Sequence, residues 1–133
     1  MARKPTLKSA KKAAWKACSE YVRKSAADRD GIVECYTCGK RAHWKKMQAG
    51  HAVPGRGNAV LCELNALRVQ CYSCNVCKHG EHHVFLPKLI KELGMKRVDE
   101  LIALRHISVK RDIEYWQEKR TEFEQKTEEL KCG

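Results

Sequence analysis

The sequence has no apolar run long enough to cross a bilayer, and its opening stretch MARKPTLKSAKKAAW has no apolar signal core. Neither a membrane-spanning helix nor a secretory leader is expected, and the reading is a soluble, cytoplasmic protein with no membrane partner. Internal repeats and low-complexity tracts are missing as well. A chain of 133 residues without either predicts one domain, residues 1–133. Acidic residues are in short supply: 16 Asp and Glu stand against 27 Lys and Arg, for a net charge of +11. Eight cysteines are present. Without a signal core they do not read as a disulfide framework, and their C-x-x-C pairing points to metal binding.

The excess of positive charge is uneven. Residues 1–24 carry +7, residues 25–60 carry +3, residues 61–107 carry +2, and residues 108–133 carry −1. A basic front with a near-neutral tail suggests that the front meets a polyanion, with nucleic acid the expected partner. A solvated helix that keeps the protein soluble is the other reading of the same charges.

Residues 6–24 read as a helix, with Leu7, Ala14, Cys18 and Val22 near one face and Trp15 beside it. Residues 32–72 lack a helical period and are punctuated by Gly39, Gly50, Pro54, Gly55 and Gly57, so short extended pieces and long loops are expected there. A second helix should begin near Cys74. Pro87 suits a first helical turn and Gly94 a helix stop, with Val98, Leu101, Ile102 and Arg105 continuing on one face. Ser108 is an N-cap candidate for a final helix. In that helix Val109, Ile113, Trp116, Arg120, Phe123, Thr127 and Leu130 step by four and three. Such a stripe either packs back on the domain or forms a homodimer contact through the C-terminal helix.

The strongest signal is Cys35-Tyr-Thr-Cys38 with Cys71-Tyr-Ser-Cys74. Each C-x-x-C is a tight knuckle that turns two thiolates toward one point, and two knuckles complete the tetrahedral sulfur shell of a structural Zn²⁺. Cys77 makes a second, overlapping C-x-x-C with Cys74, but Cys71 and Cys74 mirror the first pair better. Cys18, Cys62, Cys77 and Cys132 read as ordinary small apolar residues. His51 lies between the knuckles in the glycine-rich stretch MQAGHAVPGRGN, and by itself it is a surface residue, a metal ligand or a base.

His51 and Asn65 lie between the knuckles, and Asn75 follows the second one directly. This order resembles the HNH, or ββα-metal, nucleases from CYTCGK through CYSCNVCK. A closer resemblance covers nearly the whole chain. WKACSEYVRKSAADRDG, CYTCGKRAHWKKMQAGHAVPGRGN, LNALRVQCYSCN and LIKELGMKRVDELIAL are similar to the NinG (Rap) family of phage recombination proteins.

The resemblance implies an α+β fold: a zinc-stapled treble-clef/HNH ββα core with a flanking N-terminal helix and C-terminal helices. Residues 1–30 would be the basic N-terminal helix, 31–83 the HNH-like zinc core and 84–133 the C-terminal helical region. It also implies an enzyme, a divalent-metal-dependent endonuclease acting on branched recombination intermediates such as Holliday junctions and D-loops, in the bacterial host cytoplasm. By position His51 matches the general base, a role that suits imidazole near neutral pH. Asn65 matches the middle residue of the motif, which holds the loop. Asn75 matches a catalytic-metal ligand, its amide oxygen suiting Mg²⁺ or Mn²⁺.

Many HNH sites carry a metal-binding aspartate just before the base, where this sequence has Gly50. A second ligand would then come from Glu63, His79, Glu81, His82 or His83, most of them in KHGEHH. His43 and His106 read as structural. Lys45, Lys46, Arg56, Arg68 and Lys78 lie near the proposed site in sequence and are candidate phosphate contacts. Lys11, Lys12, Lys16, Arg23 and Lys24 on the first helix would extend the footprint. The rival readings are a zinc-dependent DNA-binding module that does not cut, and a recombinase accessory protein.

Overall fold

The first helix starts where its sequence supplies a reciprocal cap. Thr6 Oγ1 accepts the Ser9 backbone N–H at 3.1 Å, and Ser9 Oγ accepts that of Thr6 at 2.9 Å. Helix α1 then runs Leu7–Ser25, one residue offset from the sequence expectation, and buries Ala10, Ala14, Ala17, Cys18 and Val22 on one face. The computed structural model describes residues 4–54 and 57–132, and of Cys132 the backbone alone. The expected phosphate contact at Arg56 lies outside the described residues.

The described residues form a mixed α+β fold with two small antiparallel sheets. Strands β1 (Ile32–Glu34) and β2 (Arg41–His43) pair with Val33 opposite Ala42, and the first cysteine knuckle lies in the turn between them. Strands β3 (Gln48–His51) and β4 (Leu67–Gln70) pair with Gln48 opposite Gln70 and His51 opposite Leu67. β4 leads through the second knuckle into a short π-helical turn, Ser73–Cys77. Strands this short carry little stability alone, so packing must hold them.

The C-terminal third is helical, with two boundaries shifted from expectation. Helix α2 spans His82–Leu93, so Pro87 stands inside it and not in its first turn. The missing N–H of Pro87 leaves the carbonyl of His83 without its helical partner, and His83 is exposed. Gly94, at φ 91°, ends α2 and alone separates it from α3 (Met95–Leu104). Helix α4 (Ile113–Glu129) is capped by Asp112, whose carboxylate accepts the Tyr115 N–H at 2.8 Å, and not by Ser108. Aspartate is as good a cap as serine and stands directly before the helical run.

Three apolar clusters fix these parts. Ala17, Cys18 and Val22 of α1 pack with Ala49, Leu67 and Val69 of the β3–β4 sheet and with Phe123 of α4. Ala10, Ala14, Leu61 and Trp116 form a second cluster. The predicted seam thus places its largest members, Trp116 and Phe123, against α1 of the same chain. Ala52, Val53 and Ala66 join Phe85, Leu89, Val98 and Leu101 in the third. Each of those large side chains is worth roughly 1.5–3 kcal/mol on burial, enough to pin the segment that follows His51. Among the described residues no helix is long and apolar enough to cross a membrane.

Candidate functional site

The two knuckles meet. Cys35 follows β1, Cys38 lies in the β1–β2 turn, Cys71 follows β4 and Cys74 sits in the π-helical turn. Their four sulfurs lie within 4.8 Å of one another, and Cys38 Sγ is 3.7 Å from Cys71 Sγ. A tetrahedral site with Zn–S bonds near 2.3 Å has sulfur–sulfur edges of about 3.8 Å, so the cluster could hold a zinc ion. Cys35, Cys71 and Cys74 are buried and Cys38 is exposed. Burial pushes the Cys74 thiol up to about 12. Burial also acts upward on Cys35, but hydrogen bonds from Thr37 and from the backbone of Cys71, Cys38 and Thr37 bring it down to about 6. Cys77 is exposed and stands outside the cluster.

His51 ends β3, and its ring is held from two sides. Nε2 lies 3.0 Å from the Leu61 carbonyl, which can only accept, so Nε2 is the donor of that hydrogen bond. The Trp15 indole stacks on the imidazole with centroids 5.0 Å apart and planes 24° from parallel. Asn75, in the π-helical turn, donates its backbone N–H to Cys71 O at 2.9 Å. Its side-chain Nδ2 donates to Gln48 Oε1 at 2.6 Å, which leaves Oδ1 as the amide atom able to meet a cation.

These residues share one cleft of about 610 Å³, lined by Trp15, Ser19 and Arg23 of α1, Gln48 and His51 of β3, and Asn75 and Val76 of the turn. No carboxylate lines it among the described residues. Arg23 stacks over Trp44 at 5.3 Å and donates to the Trp44 carbonyl at 3.3 Å, which fixes a cation at the cleft edge. Burial lowers its pKa.

Gly50 has a steric reason. A Cβ there would lie 1.9 Å from Gln70 Oε1, so the position where many HNH sites carry an aspartate is closed here by an amide. Gln70 is fully buried; its Nε2 donates to the Gly80 carbonyl at 2.9 Å and to Thr37 Oγ1 at 3.1 Å, while Oε1 has no hydrogen-bond partner. One side chain thus ties the first knuckle, the loop after the second and the strand that carries His51.

The remaining predicted residues are placed elsewhere. Asn65 lies in the 3-10 turn Leu64–Ala66 before β4, its Nδ2 3.4 Å from Glu63 Oε1. Glu63 pairs with Arg97 at 3.6 Å. Glu81 lies between Lys78 at 3.9 Å and His83 at 3.8 Å. His82 donates through Nδ1 to the Ala52 carbonyl at 2.9 Å, a strap on the segment after His51. None of Glu63, His79, Glu81, His82 and His83 lines the cleft. Arg68 donates to Leu67 O at 2.7 Å and pairs with Glu92, so its charge is met within the fold. Lys12, Lys16, Lys45 and Lys46 are exposed, Lys24 pairs with Glu20 at 3.2 Å, and Lys11 lies over Trp116 at 5.8 Å. Sequence reasoning missed Gln48, Ser19, Gln70 and the Leu61 carbonyl. No local signal pointed to any of them, because packing across α1, β3 and β4 brings them to the site.

A family model described as Bacteriophage Lambda NinG protein matches residues 1–132. No curated protein and no solved structure matches the chain. The chain therefore belongs to the NinG family, which ties it to phage recombination.

Proposed function

We propose that this chain is a divalent-metal-dependent, HNH-type endodeoxyribonuclease that cuts branched recombination intermediates, Holliday junctions and D-loops among them. The observation that carries the reading is one cleft that brings together the imidazole of His51, the amide of Asn75 and the fixed cation of Arg23. Membership of the NinG family supplies the recombination context. The β3–β4 pair running into the turn Ser73–Cys77 supports a ββα core, with Cys35, Cys38, Cys71 and Cys74 holding a structural Zn²⁺ as its staple.

In this reading His51 Nδ1 takes the proton from an attacking water, while Leu61 and Trp15 keep the ring from turning away. Arg23 holds the phosphate by charge. Asn75 Oδ1 is a hard donor that suits Mg²⁺ or Mn²⁺, and Gln48 orients it. Such an ion, when bound, polarises the scissile phosphate. The donors at the cleft are neutral, so the DNA phosphate must bring the negative charge that completes such a site. Exposed lysines of α1 and of the turn Trp44–Lys46 extend the contact to the DNA backbone. A homodimer through α4 would use the face turned away from α1, since Trp116 and Phe123 are covered.

A cleavage assay tests the reading on a synthetic junction and a linear duplex, with Mg²⁺, Mn²⁺ or EDTA. Wild type should cut the junction in metal, and His51→Ala should lose at least about a hundredfold in rate while keeping zinc and junction affinity. The missing carboxylate favours one other reading, a zinc-dependent DNA-binding module. That reading holds if the wild type binds junctions and cuts none with any divalent metal.

A further inference from the structure

Both knuckles carry a tyrosine after their first cysteine, and the two have opposite fates. Tyr36 is half-buried: its ring meets Phe85 at 5.1 Å, and Lys88 Nζ and Arg68 Cζ lie 4.3 and 5.6 Å from its centre. Tyr72 is 58% exposed and has no ring contact or side-chain hydrogen bond among the described residues. It is the one aromatic among the large apolar side chains left exposed in the described residues. Val76, 43% exposed, follows four residues later on the helical turn, so the two share a face. Val76 also lines the cleft with Asn75, His51 and Arg23.

An exposed tyrosine one helical turn from a cleft-lining valine, beside a cleft with no carboxylate among the described residues, matches a ligand that is anionic along its backbone and aromatic in its side groups. The cationic flank continues beyond the cleft, where Lys24 and Lys45 lie 4.8 and 5.8 Å from the Trp44 ring centre beside Arg23. We propose that Tyr72, backed by Val76, is a stacking platform for an unpaired nucleobase of the DNA whose backbone enters the His51 cleft. Paired bases hide their faces in the duplex stack, so a surface ring can accept only a base that has left it. The platform would then select DNA with an unpaired nucleotide beside the phosphate held in the cleft. This inference rests on the chain acting on DNA, but not on its cutting it.

The test uses the full-length, zinc-loaded protein with Ca²⁺ in place of Mg²⁺ or Mn²⁺ and no chelator, so that the zinc staple is kept and binding is read without cleavage. Fluorescence anisotropy compares a linear duplex with the same duplex carrying a short single-stranded gap, with 2-aminopurine at the first unpaired position. Wild type should prefer the gapped DNA and quench the 2-aminopurine. Tyr72→Ala should lose on the order of tenfold in gapped-DNA affinity, keep its duplex affinity and leave the probe unquenched. Tyr72→Trp should keep both the preference and the quenching. Unchanged zinc content and melting temperature in Tyr72→Ala exclude a folding defect. The inference is overturned if wild type shows no preference for the gap or binds no DNA, or if Tyr72→Ala weakens both DNAs equally. It is overturned too if Tyr72→Ala changes neither, which would leave Tyr72 to a protein contact. Cleavage by the wild type is measured separately, so the nuclease reading can fail while the platform stands, and the reverse.

Discussion

Adding one methyl group at Gly50 should destabilise the protein through a side chain on the neighbouring strand. The Cβ of Gly50→Ala would stand 1.9 Å from Gln70 Oε1, 2.7 Å from Cδ and 3.1 Å from Cγ, and Gln70 is fully buried. The amide would have to swing out, breaking its hydrogen bonds to Gly80 O and Thr37 Oγ1. Losing these bonds and leaving buried polar groups unpaired costs roughly 3–5 kcal/mol. No backbone strain adds to this, because Gly50 does not occupy the left-handed region. Gln70→Ala alone should cost about 2–4 kcal/mol, through poorer packing and the cavity left behind. In that background the methyl at position 50 meets empty space, and Gly50→Ala should then cost less than about 1 kcal/mol or even stabilise. The double-mutant cycle therefore predicts a coupling of about 3 kcal/mol, measured by urea unfolding followed by circular dichroism at one fixed free zinc concentration. Additive single mutants, or a Gly50→Ala that costs under about 1 kcal/mol, would refute the packing argument.

Other perturbations separate the remaining roles. Serine at Cys38 or Cys71 should release zinc and lower the melting temperature of the wild-type protein, as read by elemental analysis and calorimetry; unchanged metal content would remove the staple. Asn75→Ala should lose cleavage and regain part of it in excess Mn²⁺, whereas His51→Ala should not respond, because a missing base is not a weak metal site; equal rescue of both would mean that the roles are misassigned. Replacing Lys12 and Lys16 with glutamine should lower the slope of log K against log salt by about one for each phosphate no longer neutralised; an unchanged slope would assign both lysines to solvent. Gly50→Asp combined with Gln70→Ala should bring a carboxylate to the strand face that Gln48 shares with Asn75, and Mn²⁺ titration should show tighter binding than in Gln70→Ala alone.

The cysteine cluster was legible in the sequence because its signal is local: two short knuckles whose spacing already requires four thiols at one point. Helix α1 was legible for the same reason, its apolar period lying within one stretch of chain, whereas the Thr6–Ser9 cap emerged only in the structure. The start of α2 was hidden because proline at a first turn is a stronger local signal than the run of His82, His83 and Val84 that in fact begins the helix. The cleft was half legible. Sequence order singled out His51 and Asn75, but their partners Trp15, Gln48 and Leu61 are fixed by packing across α1, β3 and the loop, which no spacing encodes.

Gly50 shows where the two levels meet. As a sequence feature it is an absent aspartate and weakens the case for a metal. In the fold it is the room that lets Gln70 cross the sheet and tie Thr37 of the first knuckle to Gly80 beyond the second. A carboxylate at position 50 and an amide at position 70 compete for the same space, so a chain that keeps Gln70 must find its negative charge elsewhere. On the nuclease reading proposed above, a cleft with no carboxylate among the described residues leaves the DNA phosphate as that source, which would make metal binding and DNA binding mutually dependent. Mn²⁺ should accordingly bind the free protein weakly and the protein–DNA complex tightly, by equal factors in either order of addition. Tight Mn²⁺ binding without DNA would mean that a carboxylate has been overlooked.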